Sequence, residues 1–587
     1  MKDFIKFTFA SLLGVVLAGI VFTVLGIVTM VGMVASSDTE TVVKDNSILV
    51  VNFEGTLTER AEENPFQLMM GEEYTNYGLD DILSAIKKAK ENENIKGIYL
   101  KPTMLGASYA SLEEIRKALL DFKESGKWIV SYADQYAEQG MYYLASVADK
   151  VIINPQGSLA WHGIASQSIF FKDLLDKVGV EMQIFKVGTY KSAVEPFIAT
   201  EMSPANREQV SVYINSIWSR LLEDVSASRH ISIDSLNLLA DQFMDLTPAE
   251  EYVNCGLVDT LMYQDEVLSY LKDMTDCEED ESLNTLSLAD MKNVKRNVPL
   301  DKSGNIIAVY YAFGGIDDTT SPEEGINSEK VIKDLRKLRE DETIKAVVLR
   351  VNSPGGSAYG SEQICNEVVK MKAEKPVIVS MGDYAASGGY YISCAADCIV
   401  ANPTTLTGSI GIFGMIPNME KLLGDKLGLD FDVVKTNKMA DMGNLTRSFN
   451  PEEKAVMQNM VNNGYELFVK RCADGRQMTT EAIKKIAEGR VWTGSDAKEL
   501  GLVDELGGLD KALEIAAQKA EVEEYSVINY PAQEGFFSSF MDTAKKDYIE
   551  GKMSETLGEY YGYLKFVENL KEADRIQARM PFDLRIK

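Results

Sequence analysis

Histidine is almost missing: a chain of 587 residues carries two, His162 and His230. Neither lies in an HExxH pattern, so a zinc hydrolase of that type lacks its ligands. The six cysteines, at 255, 277, 365, 394, 398 and 472, have no zinc-like spacing. Cys394 and Cys398 are four apart, which suits one helix face better than a disulfide framework, and buried thiols are expected. No P-loop and no GxGxxG fingerprint occurs, so no metal, nucleotide or organic cofactor is implied. Basic residues are in the minority, 60 against 89 acidic, for a net charge of −29. That balance argues against a nucleic-acid partner and against broad attraction to anionic lipid.

Charge is also absent from residues 7–37, FTFASLLGVVLAGIVFTVLGIVTMVGMVASS. A bilayer takes about 20 apolar residues as a helix, whereas a signal-peptide core has roughly 7–15. The run therefore reads as a retained transmembrane helix, with 1–37 as cytoplasmic tip and anchor. Lys2 and Lys6 precede it, and Asp38 and Glu40 follow. The positive-inside rule then places the rest of the chain on the far side of the membrane, the periplasmic side in a bacterium.

The remainder is too long for one core and repeats itself. Residues 93–115, ENIKGIYLKPTMLGASYASLEEI, lie over 342–364, ETIKAVVLRVNSPGGSAYGSEQI, at an offset of 249. Residues 128–155 lie over 377–403 with one insertion, and FKVGTYKSA (185–193) over VKTNKMADM (434–442). Each copy alternates short β-branched runs with amphipathic segments, the pattern of α/β units with buried, largely parallel strands. The expected division is 45–271, a charged linker region 272–305, 306–530, and a C-terminal appendage 531–587 with a helical pattern.

The two copies differ where chemistry is expected. GDYAASGGYYIS (382–393) sets Ser387 among alanines and glycines that let a peptide backbone come close; the first copy has Gln139 there. NSPGGS (352–357) offers backbone N–H groups to an oxyanion; the first copy has TMLGAS. At Lys191 the asymmetry reverses, and the second copy has Ala440. A serine nucleophile needs a base. AASGG approaches the GxSxG elbow of α/β-hydrolases, where histidine follows serine in the chain. Both histidines here precede Ser387 by more than 150 residues. A lysine remains, provided an apolar setting removes its proton. Lys191 lies among Val187, Tyr190, Ala193, Val194 and Phe197; Lys435 and Lys438 are rivals closer in sequence to the serine.

NSPGGS, AASGGYYIS, ANPTTLTGSIGIFG and VGTYKSAVEPF, on a duplicated chain with an apolar N-terminus, resemble the long form of bacterial signal peptide peptidase A (protease IV). The resemblance covers about 45–525. It implies two tandem crotonase-like (Clp protease-like) domains of ββα repeats after the transmembrane helix. It also implies a Ser/Lys dyad of Ser387 and Lys191, with Ser409 orienting the lysine and Gly356 and Gly388 as oxyanion donors. The implied substrates are extended apolar peptides such as signal-peptide remnants, and the implied assembly is a homotetramer. Two other readings compete. Acyl-CoA chemistry on the crotonase fold normally needs a carboxylate acid/base. A non-catalytic membrane scaffold is favoured only by loss of the serine and the glycine pair from both copies.

Overall fold

The computed structural model describes residues 40–61, 76–296, 301–318 and 325–532, short pieces between 6 and 22, and the strand Ile576–Arg579. Among the described residues no helix is long and apolar enough to cross a membrane. Most of the uncharged run 7–37, where the anchor was expected, lies outside them.

Two sheets carry the two copies, parallel throughout in the first and parallel except for the edge strand Val491–Thr493 in the second. The first runs Thr285–Leu286, Ser47–Thr58, Ile95–Gly106, Trp128–Ala133, Lys150–Ile153, Thr260–Leu261, with Asn76–Gly78 also on Ser47–Thr58. The second has the corresponding order, Ser526–Tyr530, Ile306–Phe313, Ile344–Ser353, Val377–Ala386, Cys398–Ala401, Glu505–Leu506, and adds Leu406–Gly408 beside Val377–Ala386 and Val491–Thr493 beyond it. Helices cover both faces, so a central strand is apolar on both sides. In Ile344–Ser353, Ala346, Val347, Val348, Leu349 and Val351 are all buried. The repeat extends to the helices. Tyr109–Lys123 and Ala358–Lys372 are each 15 residues, and Pro204–Arg229 and Pro451–Arg476 are each 26. Both long helices begin with proline, whose missing N–H costs nothing at that position. Ser203 and Asn450 cap them, accepting from first-turn amides.

Part of the expected linker belongs to the first copy. Thr285–Leu286 pairs in parallel with Ser47–Thr58, and the short helix Leu288–Lys292 follows. Leu286, Met291 and Val294 are buried in that copy's core; three scattered apolar residues leave little periodicity for a sequence to display. Cys394 and Cys398 do not share a helix face: Cys394 caps the helix Gly388–Ser393, and Cys398 opens the strand Cys398–Ala401. The chain turns between them, and all six thiols are free. Of the appendage read as helical, the described part beyond residue 532 is Ile576–Arg579, which is a strand.

The two copies share structure. Glu181–Lys186, from the first, runs antiparallel along Phe413–Asn418, from the second, in unbroken register from Glu181↔Asn418 to Lys186↔Phe413. A buried polar cluster joins them elsewhere. Arg350 is 1% exposed and donates to Glu59 (2.8 and 3.1 Å), Glu114 (2.8 Å) and Ser380 (2.9 Å). Ser111 donates to Asp383 through both its amide and its hydroxyl. Glu113 accepts from Thr404 across the same boundary, and burial pushes its carboxyl up to about 7. Ions this deep are tolerated only when paired, and losing one partner of such a pair costs about 3–5 kcal/mol. The two halves are therefore held in one relative position.

Candidate active site

Ser387 stands where the strand Val377–Ala386 turns into the helix Gly388–Ser393. Its backbone is left-handed, φ 56° and ψ −112°. A side chain held there costs about 1–3 kcal/mol and needs its surroundings to fix it. Two hydrogen bonds do so: Ser387 N–H donates to the Gly408 carbonyl (2.8 Å), and the Ser387 carbonyl accepts from Tyr391 N–H (2.8 Å). The glycines that follow have a packing reason. A Cβ on Gly389 would lie 2.6 Å from the Ser353 carbonyl oxygen, so only glycine lets the helix close on the strand end.

Lys191 arrives from the other copy. The crossing strand Glu181–Lys186 delivers the segment that follows it to the second copy, where Tyr190 N–H donates to the Glu488 carbonyl (3.0 Å). Thr189 Oγ1 donates to the Glu488 carboxylate (2.6 Å). Gln209 clamps the same segment: its Nε2 donates to the Tyr190 carbonyl and Ser192 Oγ, while its Oε1 accepts from Val491 N–H. Gly489, at φ 78°, makes the approach possible, since a Cβ there would fall 2.7 Å from Lys191 Cα.

The amine ends 2.7 Å from Ser387 Oγ, 3.1 Å from Ser409 Oγ and 3.1 Å from the Ser409 carbonyl oxygen. Lys191, Ser387 and Ser409 are all 0% exposed. Burial holds the Lys191 amine well below its ordinary range, and no neighbouring carboxylate opposes that shift. A neutral amine has two N–H groups and one lone pair. Donating both hydrogens to the two Ser409 oxygens turns the lone pair to the Ser387 hydroxyl. Ser409 is itself left-handed (φ 50°), and its N–H donates to the Arg490 carbonyl (2.7 Å), which anchors its backbone beside the amine.

Gly356 lies in the short strand Gly355–Ser357, and a Cβ on it would come 2.0 Å from the Ile316 carbonyl oxygen. Gly388 opens the helix after Ser387, so its N–H has no acceptor within the helix. The rival lysines are elsewhere: Lys435 and Lys438 are exposed, paired with Asp441 and Glu452. In the first copy Gln139 fills the serine position. Its side-chain oxygen accepts from the N–H groups of His162 and Gly163, and its amide donates to Tyr109. Among the described residues no group of three or more His, Cys, Asp or Glu is placed to hold a metal ion.

The model of peptidase family S49 matches the chain twice, over residues 121–278 and 369–523. The chain belongs to peptidase family S49. The Clp protease model also matches residues 319–404. Protease 4 of Salmonella typhi is 41% identical over 473 residues, 79% of this chain and 76% of that protein. Protease 4 of Haemophilus influenzae is 36% identical, covering 84% and 82%. The chloroplastic serine protease SPPA of Arabidopsis thaliana is 31% identical, covering 92% and 78%. This S49 protein is a serine endopeptidase on a duplicated Clp protease-like α/β fold.

Several residues that shape this candidate site carried no readable signal in the sequence. Gly489 looks like any turn glycine in EGRVW, and Gln209 like any polar residue on a helix. Both act only because segments far apart in the chain meet there.

Proposed function

We propose that Ser387 and Lys191 form the catalytic dyad of a membrane-anchored endopeptidase that degrades cleaved signal peptides and other extended apolar peptides. The observation that carries this reading is the 2.7 Å contact between a fully buried lysine amine and a strained serine hydroxyl. Neutral Lys191 takes the Ser387 proton as Oγ attacks the scissile carbonyl. The N–H groups of Gly356 and Gly388 receive the oxyanion, a contribution of order 3 kcal/mol for one well-placed donor. The resulting ammonium returns its proton to the departing amine, leaving an acyl-enzyme. Water then repeats the sequence with Lys191 again as base. Ser409 holds the amine in register throughout. A fluorophosphonate probe should label Ser387 in the full chain and fail to label Ser387→Ala. An unlabelled serine would favour the scaffold reading.

Residues 7–37 supply the anchor and place the catalytic portion outside the cytoplasm, and the chain assembles as a homotetramer with its sites facing inward. The charge asymmetry around the apolar run supports the orientation. The protein should sediment with membranes, resist a carbonate wash, and give a four-chain particle after detergent extraction. A soluble monomer, or a mature chain beginning near Ser36, would sink this part of the reading.

A further inference from the structure

The strand that leads to Ser387 does not run straight to it. Up to Met381, Val377–Ala386 pairs residue for residue with Ile344–Ser353, Arg350 against Ser380 and Val351 against Met381. The next pair is Ser353 with Ala385, so Gly382, Asp383 and Tyr384 stand opposite Asn352 alone. A bulge of this kind interrupts the ladder and bends the strand. The bend changes its neighbour. Ile378–Met381 lie along Cys398–Ala401, whereas Tyr384–Ala386 lie along Leu406–Gly408. That second neighbour leads directly into Ser409, so the bulge carries the Ser387 hydroxyl to the place where the Lys191 amine is held.

Side chains take over from the ladder at the bulge. Thr405 Oγ1 donates to the Gly382 carbonyl (2.7 Å), and Tyr384 N–H donates to Asn352 Oδ1 (3.1 Å). The nitrogen of the Asn352 amide reaches the junction of the copies: Nδ2 donates to Glu59 Oε1 (2.9 Å) and Asp383 Oδ2 (3.3 Å). Glu59 belongs to the first copy and is itself held by Arg350, two residues before Asn352 and on the same face of the strand. Asn352 is buried, and a side chain there must accept from an amide and donate to two carboxylates. A carboxamide does both; a carboxylate of the same size would be a third negative group beside Glu59 and Asp383. Space is equally constrained, since a Cβ on Gly382 would lie 2.3 Å from Glu59 Oε1 and 3.0 Å from Asn352 Nδ2. Asn352 continues at once into Ser353, whose hydroxyl accepts from Gly355 N–H (3.1 Å) in the turn before Gly356. The first copy, with Gln139 at the serine position, has Thr103 in place of Asn352.

We propose that Asn352 is a positioning residue: it closes the bulge that aims Ser387 at Lys191 and, through Glu59, ties that aim to the docked first copy. This rests on the assignment of Ser387 and Lys191 above. The nucleophile and its base come from different copies, so the contact that seats the copies against each other also sets the reacting atoms. A displacement of about 1 Å at such a site costs roughly 100-fold in rate.

The test uses the full chain and a fluorogenic peptide. Asn352→Asp keeps the size and the acceptor for Tyr384 N–H but turns the donor into a repelling oxygen. It should lower kcat by about 100-fold with KM within about twofold of wild type, and slow fluorophosphonate labelling of Ser387 in proportion. Adding Glu59→Gln moves the donor to the other side of the contact, while the remaining side-chain oxygen still accepts from Arg350. The double variant should regain about tenfold or more of the lost kcat. Asn352→Ala adds no charge and tests the same contact where Asn352→Asp does not fold: it should lower kcat with KM unchanged. Wild-type kcat in Asn352→Asp or Asn352→Ala, or a loss that Glu59→Gln fails to recover, overturns the positioning role, while labelling of the wild type leaves the dyad standing. A wild-type Ser387 that does not label overturns the dyad and this inference with it.

Discussion

Ser387→Ala and Lys191→Ala should each lower kcat on a reporter peptide by roughly 10⁴- to 10⁶-fold, and the double variant should be no worse than either alone. In the proposed dyad the two groups act as one unit: a hydroxyl without a base stays protonated, and a base without the hydroxyl has no nucleophile to activate. Removing the lysine also removes a fully buried side chain, so Lys191→Met is the better-controlled variant. It keeps most of the volume, abolishes the lone pair, and spares the pocket the burial of a polar amine. Its thermal transition should be at least as high as that of the wild type, which separates loss of chemistry from loss of fold. Lys435→Ala and Lys438→Ala should keep near-full kcat/KM, because both lysines are exposed and paired with carboxylates that favour their charged forms. Activity that survives in Lys191→Met and vanishes in Lys435→Ala or Lys438→Ala would refute the dyad.

The residues of the candidate site could be singled out because duplication turned one chain into its own comparison. Ser387 stood against Gln139, the glycine pair against TMLGAS, and Lys191 against Ala440. Each contrast is local, a residue type at a matched position, and local contrasts survive in a linear string. The parallel sheets were readable for a similar reason, since strands buried on both faces become short apolar runs such as KAVVLRV. What the string concealed was long-range. The pairing of Glu181–Lys186 with Phe413–Asn418 joins residues more than 200 positions apart. It is the step that lets one chain bring its lysine to its serine. The cluster of Arg350 with Glu59 and Glu114 is equally distant in sequence, and each member alone reads as a surface charge. Cys394 and Cys398 misled because a four-residue spacing fits a helix, whereas the chain leaves its helix after Ser393 and enters a strand at Cys398.

The pH dependence of kcat/KM should rise with pH through a single ionisation that lies well below the ordinary lysine value of about 10.4. The cause is burial: the Lys191 ammonium would have no water around it, and its polar neighbours are the oxygens of Ser387 and Ser409 rather than a carboxylate. Lys191→Arg should stay inactive across the whole range, because a guanidinium keeps its proton and has no lone pair to offer. Stability carries the same ionisation with a definite sign. Between the depressed folded value and about 10.4, the unfolded chain holds a proton on this lysine that the folded chain lacks. Stability must therefore increase with pH over that window. Lys191→Met deletes the titrating group, so the difference in stability between it and wild type should shrink as pH rises through the window. Chemical denaturation at several pH values measures that difference directly. A constant difference would mean that Lys191 is charged in the folded protein. An amine already protonated has no lone pair, and some other group would then have to take the proton from Ser387.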